Sequence, residues 1–434
     1  MDKNILKKFA IESRKELMEK IGTKIKKYFV DEEFKVVING DIYSLVNEKH
    51  SLTLNKREYE DRCLLIKRIK EITLEQVIEE AAYTWFNRII AIRYMEIHDY
   101  LPLTKDNQSL GVRVLSSRDN QPDPEIMKFS NLTNQELDIN LNQSYYMTLK
   151  DDNKKFEYIL LLICKKLGKV IPQVFDGVTD YIDLLIPDNL LNDSGIITKL
   201  LVEIPEDNYK QVEIIGWLYQ YYISEKKDQV FDDLKKNIKI KKENIPSATQ
   251  IFTPEWIVRY MVENTLGRYT SKEFRKKLKY YVENKNEQII EKDITEVKFI
   301  DPCCGSGHIL VYAFELFVEI YKERGYLINS IPELILKNNL NGLDVDDRAG
   351  QLATLAILLK AKEYDKDIFQ KEIAKNINIM SIQETSTLKY ESLNLIKEKD
   401  EDIIKISIND SINYIYNTFK NAKEVGSLLV INSN

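Results

Sequence analysis

Short apolar segments alternate with helical patterns in the last third of this 434-residue chain, and this alternation constrains the fold more than any other feature. Residues 297–300 form the first apolar segment, residues 340–344 the second and residues 377–381 the third. The stretches between them carry apolar side chains at helical spacing. Strands that alternate with helices of this length predict a parallel, doubly wound sheet.

The turn after the first of these strands reads Asp301-Pro302-Cys303-Cys304-Gly305-Ser306-Gly307. Glycines here let the backbone approach a ligand, and the start of the next helix offers free amides. The turn is neither GxGxxG nor a phosphate-binding loop with a Lys-Ser/Thr pair, so a dinucleotide is a weak interpretation. An acid that opens the turn favours a ligand with a positive group, and S-adenosylmethionine carries an ammonium and a sulfonium.

Two further elements fit the same cofactor. Asp344 follows the second strand, where a carboxylate accepts hydrogen bonds from ribose hydroxyls in nucleotide-binding folds. Upstream, Phe252-Thr253-Pro254 precedes a helix through Val258 and Val262. A Thr-Pro start predicts an N-cap whose free amides hold a carboxylate, and the methionine moiety has one.

The N-terminal region is predicted to be helical. Apolar residues from Ile5 to Phe29 recur at helical spacing, and residues 74–97 predict a buried aromatic-rich helix that Thr73 caps. Glycine and proline together make up 24 of 434 residues, which excludes collagen-like chains and a typical many-stranded β-sandwich. Residues 34–46 fit a short strand and turn, and residues 101–155 an irregular excursion.

We expect the main domain boundary near residue 240, which gives a helical domain over 1–240 and a second domain over 241–434. Five lysines and no acid occupy Lys235–Lys242. They fit either a solvated linker or a set of phosphate contacts. Residues 245–254 are predicted to be an extended stretch that leads into the next helix.

The overall charge excludes few classes of protein. The chain has 63 basic and 69 acidic residues and a net charge of −6, which argues against a small basic DNA-coating protein but not against a nucleic-acid enzyme. No apolar run approaches the ~18 residues of a membrane helix, and no apolar signal core follows Met1. Four cysteines without a CxxC pair predict a reduced, cytoplasmic protein without a metal site.

Phe-Thr-Pro, Asp-Pro-x-x-Gly-Ser-Gly and Gly-Leu-Asp, in that order, resemble the amino-methyltransferases that act on adenine N6 in DNA. More narrowly, the chain resembles the PglX family of bacteriophage-exclusion (BREX) systems from its first helix to about Gly426. The strings that carry this likeness are residues 82–88 (AYTWFNR), 216–222 (GWLYQYY), 248–254 (ATQIFTP) and 344–349 (DVDDRA).

The resemblance implies a fold, a cofactor, partners and site residues. It implies a helical N-terminal domain followed by a Rossmann-like, S-adenosylmethionine-dependent methyltransferase domain, with double-stranded DNA and other phage-defence proteins as partners of the full-length protein. The methionine end of the cofactor would be lined by Asp301, Pro302, Gly305 and Gly307. Its carboxylate would be held by Thr253 and Pro254, its ribose by Asp344 and its adenine by Gln383 or Glu384.

The family's catalytic motif, Asn/Asp-Pro-Pro-Tyr/Phe, is missing, because the ten prolines are all isolated and none follows an asparagine. We therefore expect an incomplete methyltransferase domain, no catalytic residue within the chain, weak binding of S-adenosylmethionine and no DNA methylation by this chain alone. The alternatives are a non-catalytic module that recruits other defence proteins and, with less support, a methyltransferase for proteins or small molecules.

Simpler structural roles compete with the functional ones for several residues. The Trp85 and Trp217 strings fit core packing better than base stacking. Cys303 and Cys304 fit small space-filling residues of the turn, and His308 fits a solvated or helix-capping residue. The Asp301–Gly307 segment by itself fits an ordinary strand-to-helix turn. Its position in the sequence between Thr253 and Asp344 favours the cofactor site.

Overall fold

The computed structural model describes residues 3–105, 108–109, 111–119, 121, 123–129, 139–175, 181–240, 244–250, 253–283, 292–385 and 412–425. The chain divides into two compact units. The first comprises Met1–Glu225 with Leu358–Asn376, and the second comprises Lys226–Ile357 with Ile377–Asn434. The functional domain boundary expected near residue 240 stays a prediction.

The first unit is mostly helical. Its α-helices are α1 (Lys3–Lys26), α2 (Lys56–Glu71), α3 (Leu74–Ile97), α4 (Glu125–Phe129), α5 (Gln143–Thr148), α6 (Asp152–Gly168), α7 (Pro172–Phe175), α8 (Tyr181–Leu184), α9 (Ile196–Glu203) and α10 (Glu213–Tyr222). Turns of 3-10 helix cover Glu206–Lys210, Ile368–Gln370 and Glu372–Lys375. Its strands are β1 (Lys35–Asn39), β2 (Ile42–Val46), β3 (Ser51–Asn55), β4 (Thr104–Lys105) and β5 (Gln108–Ser109).

Helix α3 lies in the core of this unit and matches the predicted helix over 74–97. The Thr73 hydroxyl caps it by accepting a hydrogen bond from the Gln76 amide at 3.2 Å. Trp85 is fully buried, and its indole N–H donates to the Ile182 carbonyl at 3.0 Å. Arg88, also buried, pairs with Asp183 at 3.1 Å. The core-packing role predicted for the Trp85 string is therefore confirmed.

Helix α1 confirms the first predicted helix but corrects its stripe. Leu17 and Ile21 are buried as expected, whereas Ile5 is 41% exposed and neighbouring Leu6 takes the buried position. Phe29 lies beyond the helix end, where its φ of 45° has left the right-handed region. A run of residues at spacing four drifts off one face of a helix because the period is 3.6.

The strand and turn expected within 34–46 are present as part of a three-stranded antiparallel sheet of order β1-β2-β3. Gly40 has a φ of 58° in the tight turn, which a side chain would strain. Strand β3 was not predicted, and it leads into a capping box at the start of α2. There the Asn55 side-chain Oδ1 accepts from the Glu58 backbone amide, and the Glu58 carboxylate accepts from the Asn55 backbone amide.

The second unit contains the parallel sheet. Its α-helices are α11 (Ser224–Lys235), α12 (Ile245–Thr249), α13 (Glu255–Thr265), α14 (Lys272–Arg275), α15 (His308–Glu323), α16 (Ile331–Asn338), α17 (Asp347–Tyr364) and α18 (Ala422–Val425), with residues 412–418 also helical. Helix α11 begins, and helix α17 ends, among residues of the first unit. Turns of 3-10 helix cover Leu266–Tyr269 and Ile294–Glu296.

Strands β6 (Phe299–Asp301), β7 (Leu340–Asp344) and β8 (Ile379–Ser381) form a parallel sheet of order β6-β7-β8. Asp301 is opposite Gly342, and Asp344 is opposite Ser381. All three strands were predicted within two residues of their observed starts. Parallel pairing brings their carboxyl ends to one edge of the sheet, where both acidic residues lie.

Buried Asn339 ties this sheet to its surroundings. Its amide nitrogen donates to the Ile294 and Val297 carbonyls at 2.6 and 2.8 Å, and its oxygen accepts from the Tyr321 hydroxyl at 2.8 Å. Buried amides persist when every polar atom is satisfied, and three bonds at one residue fix the start of β7 against α15.

One predicted segment is wrong. Residues 245–249 are helical, where an extended stretch was expected. Proline is tolerated in the first turn of a helix, and Pro246 occupies that position; the Thr249 hydroxyl also donates to the Ile245 carbonyl at 2.9 Å. In the lysine run, Lys235 ends α11 and pairs with Asp232. Among the described residues, no helix has the length and apolar content that crossing a membrane requires.

Candidate functional site

The site lies where the turn after β6 meets the end of β7. Asp301 closes β6, and its Oδ1 accepts a hydrogen bond from the Cys303 amide at 3.1 Å. The Cys304 amide donates to the Leu343 carbonyl at 2.9 Å, which attaches the turn to β7. The turn ends when the Gly307 amide donates to the Cys304 carbonyl at 2.8 Å. The result is a rigid loop with its acid at the base.

One oxygen of the Asp301 carboxylate has no hydrogen-bond partner among the described residues. The residue is only 7% exposed, and its Oδ2 is buried without a hydrogen bond from any described residue. Burial raises the pKa of Asp301, and the nearby Asp344 carboxylate raises it further. A buried carboxylate oxygen without a donor is costly unless a ligand supplies one, and a positively charged donor is the best match.

Asp344 holds the turn from the other side. Its Oδ2 accepts from the Gly305 amide at 2.8 Å and its Oδ1 accepts from the Asp346 amide at 2.9 Å. Burial raises the pKa of Asp344, while these backbone amides act in the opposite direction. From the sequence, this carboxylate is predicted to accept hydrogen bonds from the hydroxyls of a ribose. In the structure it also bridges two loops, and each oxygen keeps a second lone pair for a ligand.

The two glycines of the turn have different surroundings. Gly305 has a φ of 53°, and a Cβ placed on it would have no atom within 4 Å, so open space lies before it. Gly307 has a φ of 86°, and a Cβ there would lie 3.0 Å from the Ala353 Cα. Gly305 therefore faces the space available to a ligand, and Gly307 allows the close approach of α17.

The Thr253-Pro254 element lies beside this turn, but not as predicted. Pro254 is the N-cap residue of α13, and no side chain caps the helix, so Thr253 precedes the cap and does not form it. The hydroxyl cap expected from Thr253 is wrong because proline, with a φ of −54°, already has the backbone conformation of the cap. Phe252 lies outside the described residues.

His308 connects the two elements. The Thr253 backbone accepts a hydrogen bond from the imidazole, which raises the pKa of His308 by less than burial lowers it. The solvated role expected for His308 is therefore wrong. The neutral ring positions the start of α13, where the first amides have no intrahelical partner, next to the glycine turn.

Gln383 and Glu384 lie just after β8, at the expected edge of the sheet, but their side chains turn to neighbouring segments. The Gln383 amide donates to Asp347 Oδ1 at 2.5 Å. Glu384 Oε1 accepts from the Lys423 amide at 3.2 Å, and the Lys423 ammonium pairs with Asp347 at 3.0 Å. Asp347 thus joins Gln383 and Lys423 in one polar cluster beyond the end of β8.

The remaining turn residues have structural positions. Pro302 and Cys303 are exposed, whereas Cys304 is buried and its pKa is raised by burial. Within the described ranges, no group of three His, Cys, Asp or Glu side chains is placed to bind a metal. The structure thus concentrates the carboxylates of Asp301 and Asp344 around a turn with open space before Gly305.

Two contacts were missed by the sequence analysis. A Cβ on Gly350 would lie 2.3 Å from the Ser381 hydroxyl, and one on Gly342 would lie 2.8 Å from Leu310. The small residues at 349, 350 and 353 of α17 are the sequence feature that indicates these contacts, because small side chains at this spacing lie on one helix face and let it pack closely. Nothing in the sequence shows which strand that face touches.

Comparisons with known proteins agree with this geometry. Residues 278–416 match the family described as MmeI, DNA-methyltransferase domain. The chain is 40% identical over 352 residues to the adenine-specific methyltransferase BrxX of Escherichia coli O9:H4 (strain HS), covering 77% of this chain and 28% of that protein. It is 33% identical over 488 aligned positions to the adenine-specific methyltransferase PglX of Lacticaseibacillus casei (strain Zhang), covering 100% and 38%.

A more distant relative combines two activities in its name. The type II restriction enzyme and methyltransferase RM.Eco57I of Escherichia coli is 26% identical over 359 residues, covering 75% of this chain and 31% of its own length. The chain thus spans less than two fifths of the length of each of these three relatives.

Proposed function

Because this chain is a relative of the adenine-specific methyltransferases PglX and BrxX, we propose that it carries the S-adenosylmethionine-binding part of an N6-adenine DNA methyltransferase of a phage-defence system. The parallel sheet would be the first half of a Rossmann-like domain, and the helical region over 1–240 its N-terminal partner. Double-stranded DNA would be the substrate of the full-length protein, and other defence proteins its partners.

The observation that carries the proposal is the buried Asp301 Oδ2, which lacks a donor at the mouth of a glycine turn. The residues present fit S-adenosylmethionine. Its ammonium would supply the missing donor to Asp301, and the open space at Gly305 would admit the methionine chain. Pyrophosphate would instead meet two carboxylates, so a dinucleotide is disfavoured.

The other residues would act by binding and orienting the cofactor. Asp344 would accept from the ribose with its remaining lone pairs while it holds the turn through Gly305. The first amides of α13, after Thr253 and Pro254, would bind the carboxylate. Gln383 and Glu384 would border the adenine, provided that their present contacts with the Asp347 cluster rearrange.

When bound, S-adenosylmethionine would supply an electrophilic methyl group on a sulfonium sulfur, which would leave as a neutral thioether when the adenine amine accepts the methyl group and loses a proton. This chain's residues supply position and charge for that step, since proximity and orientation account for much of the rate in a direct transfer. The groups that hold the target amine would belong to the Asn/Asp-Pro-Pro-aromatic motif, which this sequence lacks.

Isothermal titration with S-adenosylmethionine tests the proposal, with wild type compared with Asp344→Ala. We expect measurable heat for wild type and at least tenfold weaker binding for the variant, because charged hydrogen bonds are worth about 1.5–3 kcal/mol. Asp293→Ala is the matched control, since Asp293 also caps a backbone turn, through the Thr295 amide at 2.9 Å, but lies outside the site.

Circular dichroism establishes that each variant is folded. Absence of heat for folded wild type would remove the cofactor proposal and leave the recruiting-module alternative. Equal affinity of wild type and Asp344→Ala would remove the role given to Asp344.

A further inference from the structure

Helix α13 has an exposed aromatic stripe that no contact with the described residues of its unit explains. Trp256 is 57% exposed and Tyr260 is 48% exposed, while Val258 and Val262 on the opposite side are buried. Residues four apart lie on one face of a helix, so the two rings form a continuous stripe. Large exposed aromatics in a row mark an interaction surface more often than an ordinary helix face.

The far end of α13 is fixed to the segment that follows α14. The Asn264 side chain donates to the Tyr280 carbonyl at 2.8 Å and accepts from the Val282 amide at 2.9 Å. Buried Glu263 accepts from the Tyr280 amide at 2.6 Å and from the Tyr312 hydroxyl at 2.8 Å. These bonds hold residues 280–282 against the helix, directly after a basic segment of the unit.

That basic part is residues 268–279, which contain six basic residues and one acid, Glu273. Four of its lysines are exposed and have no ion-pair partner among the described residues: Lys272, Lys276, Lys277 and Lys279. In contrast, Lys235 in the earlier lysine run pairs with Asp232 at 2.9 Å. Four ammonium groups without an acidic partner in the described part of the chain create a local positive field, although the net charge of the whole chain is −6.

The start of α13 lies beside the cofactor turn, through the hydrogen bond between His308 and the Thr253 backbone. The helix has 11 residues and is therefore about 16 Å long, roughly half of one ~34 Å turn of B-DNA. The stripe thus leads from the candidate methyl-donor site to the lysines over a distance that a duplex backbone spans.

We propose that this surface, made of Trp256, Tyr260 and the four exposed lysines of 268–279, is a contact site for duplex DNA. The lysines bind phosphates, and the aromatic rings pack against the sugars or stack on a base extruded from the duplex next to the cofactor site. Duplex DNA is the occupant because the four ammonium groups complement its densely charged backbone and exposed aromatic rings lie between them and the cofactor site. The inference rests on the proposed function and assigns DNA to a different place from the lysine run over 235–242.

Fluorescence anisotropy of a labelled 20-base-pair duplex, without cofactor, tests the surface on the full 434-residue chain at 50, 100 and 200 mM salt. We expect Lys276→Gln/Lys277→Gln to weaken binding on the order of tenfold at 100 mM and to reduce the salt slope by about 1.8, because two phosphate contacts are lost. Lys236→Gln/Lys239→Gln is the control: it removes the same charge from two exposed lysines and leaves affinity unchanged.

The aromatic half is tested separately with Trp256→Ala and Trp256→Phe. The alanine variant should bind several-fold more weakly with an unchanged salt slope, and phenylalanine should restore most of the affinity, since stacking is worth about 1–3 kcal/mol per base. Trp256 is exposed, so neither change disturbs the core.

Three results would overturn the inference: no duplex binding by wild type at 50 mM salt, equal losses for the two lysine pairs, or full binding by Trp256→Ala. Binding of a protein partner with no effect of DNA would assign the surface to that partner. DNA binding without any heat from S-adenosylmethionine would defeat the proposed function and leave this surface standing. Cofactor binding without DNA binding would support the proposed function and overturn the assignment of this surface to DNA.

Discussion

Asp301 is the residue on which the proposed chemistry of this chain depends. Its carboxylate is 7% exposed, with one oxygen bound to the Cys303 amide and the other without a donor among the described residues, and this arrangement destabilises the fold at neutral pH. Such a cost persists at functional sites because the ligand removes it. A cationic ligand does so more fully than a neutral one, which is why the proposal is a cofactor with an ammonium.

Binding of that cofactor should depend on pH. Burial raises the pKa of Asp301 above its ordinary value of 3.8, so the carboxylate becomes protonated as pH falls from neutral through the raised value. Only the ionised form attracts an ammonium. We expect Asp301→Asn to bind S-adenosylmethionine at least tenfold more weakly at neutral pH, and the ratio of wild-type to variant affinity to shrink as the pH is lowered.

Titration calorimetry at a series of pH values measures this ratio, with circular dichroism to confirm folding at each pH. Asp344 also has a raised pKa, and its protonation weakens both proteins, so the loss of affinity that the two proteins share at low pH belongs to Asp344 and not to Asp301. A ratio that stays constant with pH would show that Asp301 does not bind the cofactor through its charge.

At this scale, residue types and order in the sequence were enough to predict that Asp301, Gly305, Gly307 and Asp344 lie together around one turn, and their role in binding a cofactor stays a prediction. They were not enough to predict what each side chain touches. The bridge from Asp344 to the Gly305 amide and the three bonds of Asn339 join residues about 20 to 45 positions apart. Only the packed fold brings those groups together.

The elements were predicted unevenly, for physical reasons. Helix α3 and strand β7 combine long apolar patterns with clear end signals, and both match their predicted bounds. Helix α12 was missed because proline was taken as a sign of extended chain, although it is accepted in a first helical turn. Strand β3 was missed because its Ser-Leu-Thr-Leu-Asn alternation is short. The Rossmann-like half-domain stays a prediction.

The packing of α15 and α17 on the turn gives an element-scale prediction. Gly307→Ala should destabilise the protein by about 2–5 kcal/mol, from a left-handed backbone that strains alanine and from contact of the new methyl with the Ala353 backbone. Gly325→Ala is the matched control. Its φ of 81° is nearly the same, but no atom lies within 4 Å of the added Cβ, so we expect about 1 kcal/mol.

Urea unfolding followed by circular dichroism measures both changes. Equal losses for the two glycines would show that backbone strain alone matters at Gly307 and that α17 yields to the added methyl group.

At the scale of the whole molecule, net charge and overall composition do not indicate where the candidate sites lie. The net charge of −6 hides a segment, residues 268–279, with five more basic than acidic residues. Glycine and proline are equally sparse in the two units, with 13 among the 244 residues of the first and 11 among the 190 of the second, whereas the glycines of the candidate site cluster in one turn of the second. One face of the parallel sheet also leaves Ile300 56% and Met380 58% exposed. Parallel sheets are normally covered on both faces, so this face is ready for further packing.

The last prediction concerns activity. We expect the 434-residue chain to bind S-adenosylmethionine but to transfer no tritiated methyl group to DNA, because it contains no Pro-Pro pair and therefore no Asn/Asp-Pro-Pro-aromatic motif. The assay uses enzyme in excess over DNA to detect even one turnover, with a complete adenine methyltransferase as positive control. Incorporation that Asp344→Ala abolishes would show that other residues hold the target amine.

The exposure of Trp256 also gives the molecule an intrinsic fluorescent probe. Of the three tryptophans, Trp85 is fully buried, and Trp217 is half-buried beneath the Lys3 ammonium at 4.0 Å. Iodide in solution should therefore quench chiefly the emission of Trp256, and the accessible fraction of the fluorescence should follow mainly the state of α13. An unlabelled sample thus contains an optical probe about one helix length from the basic segment and adjacent to the cofactor turn.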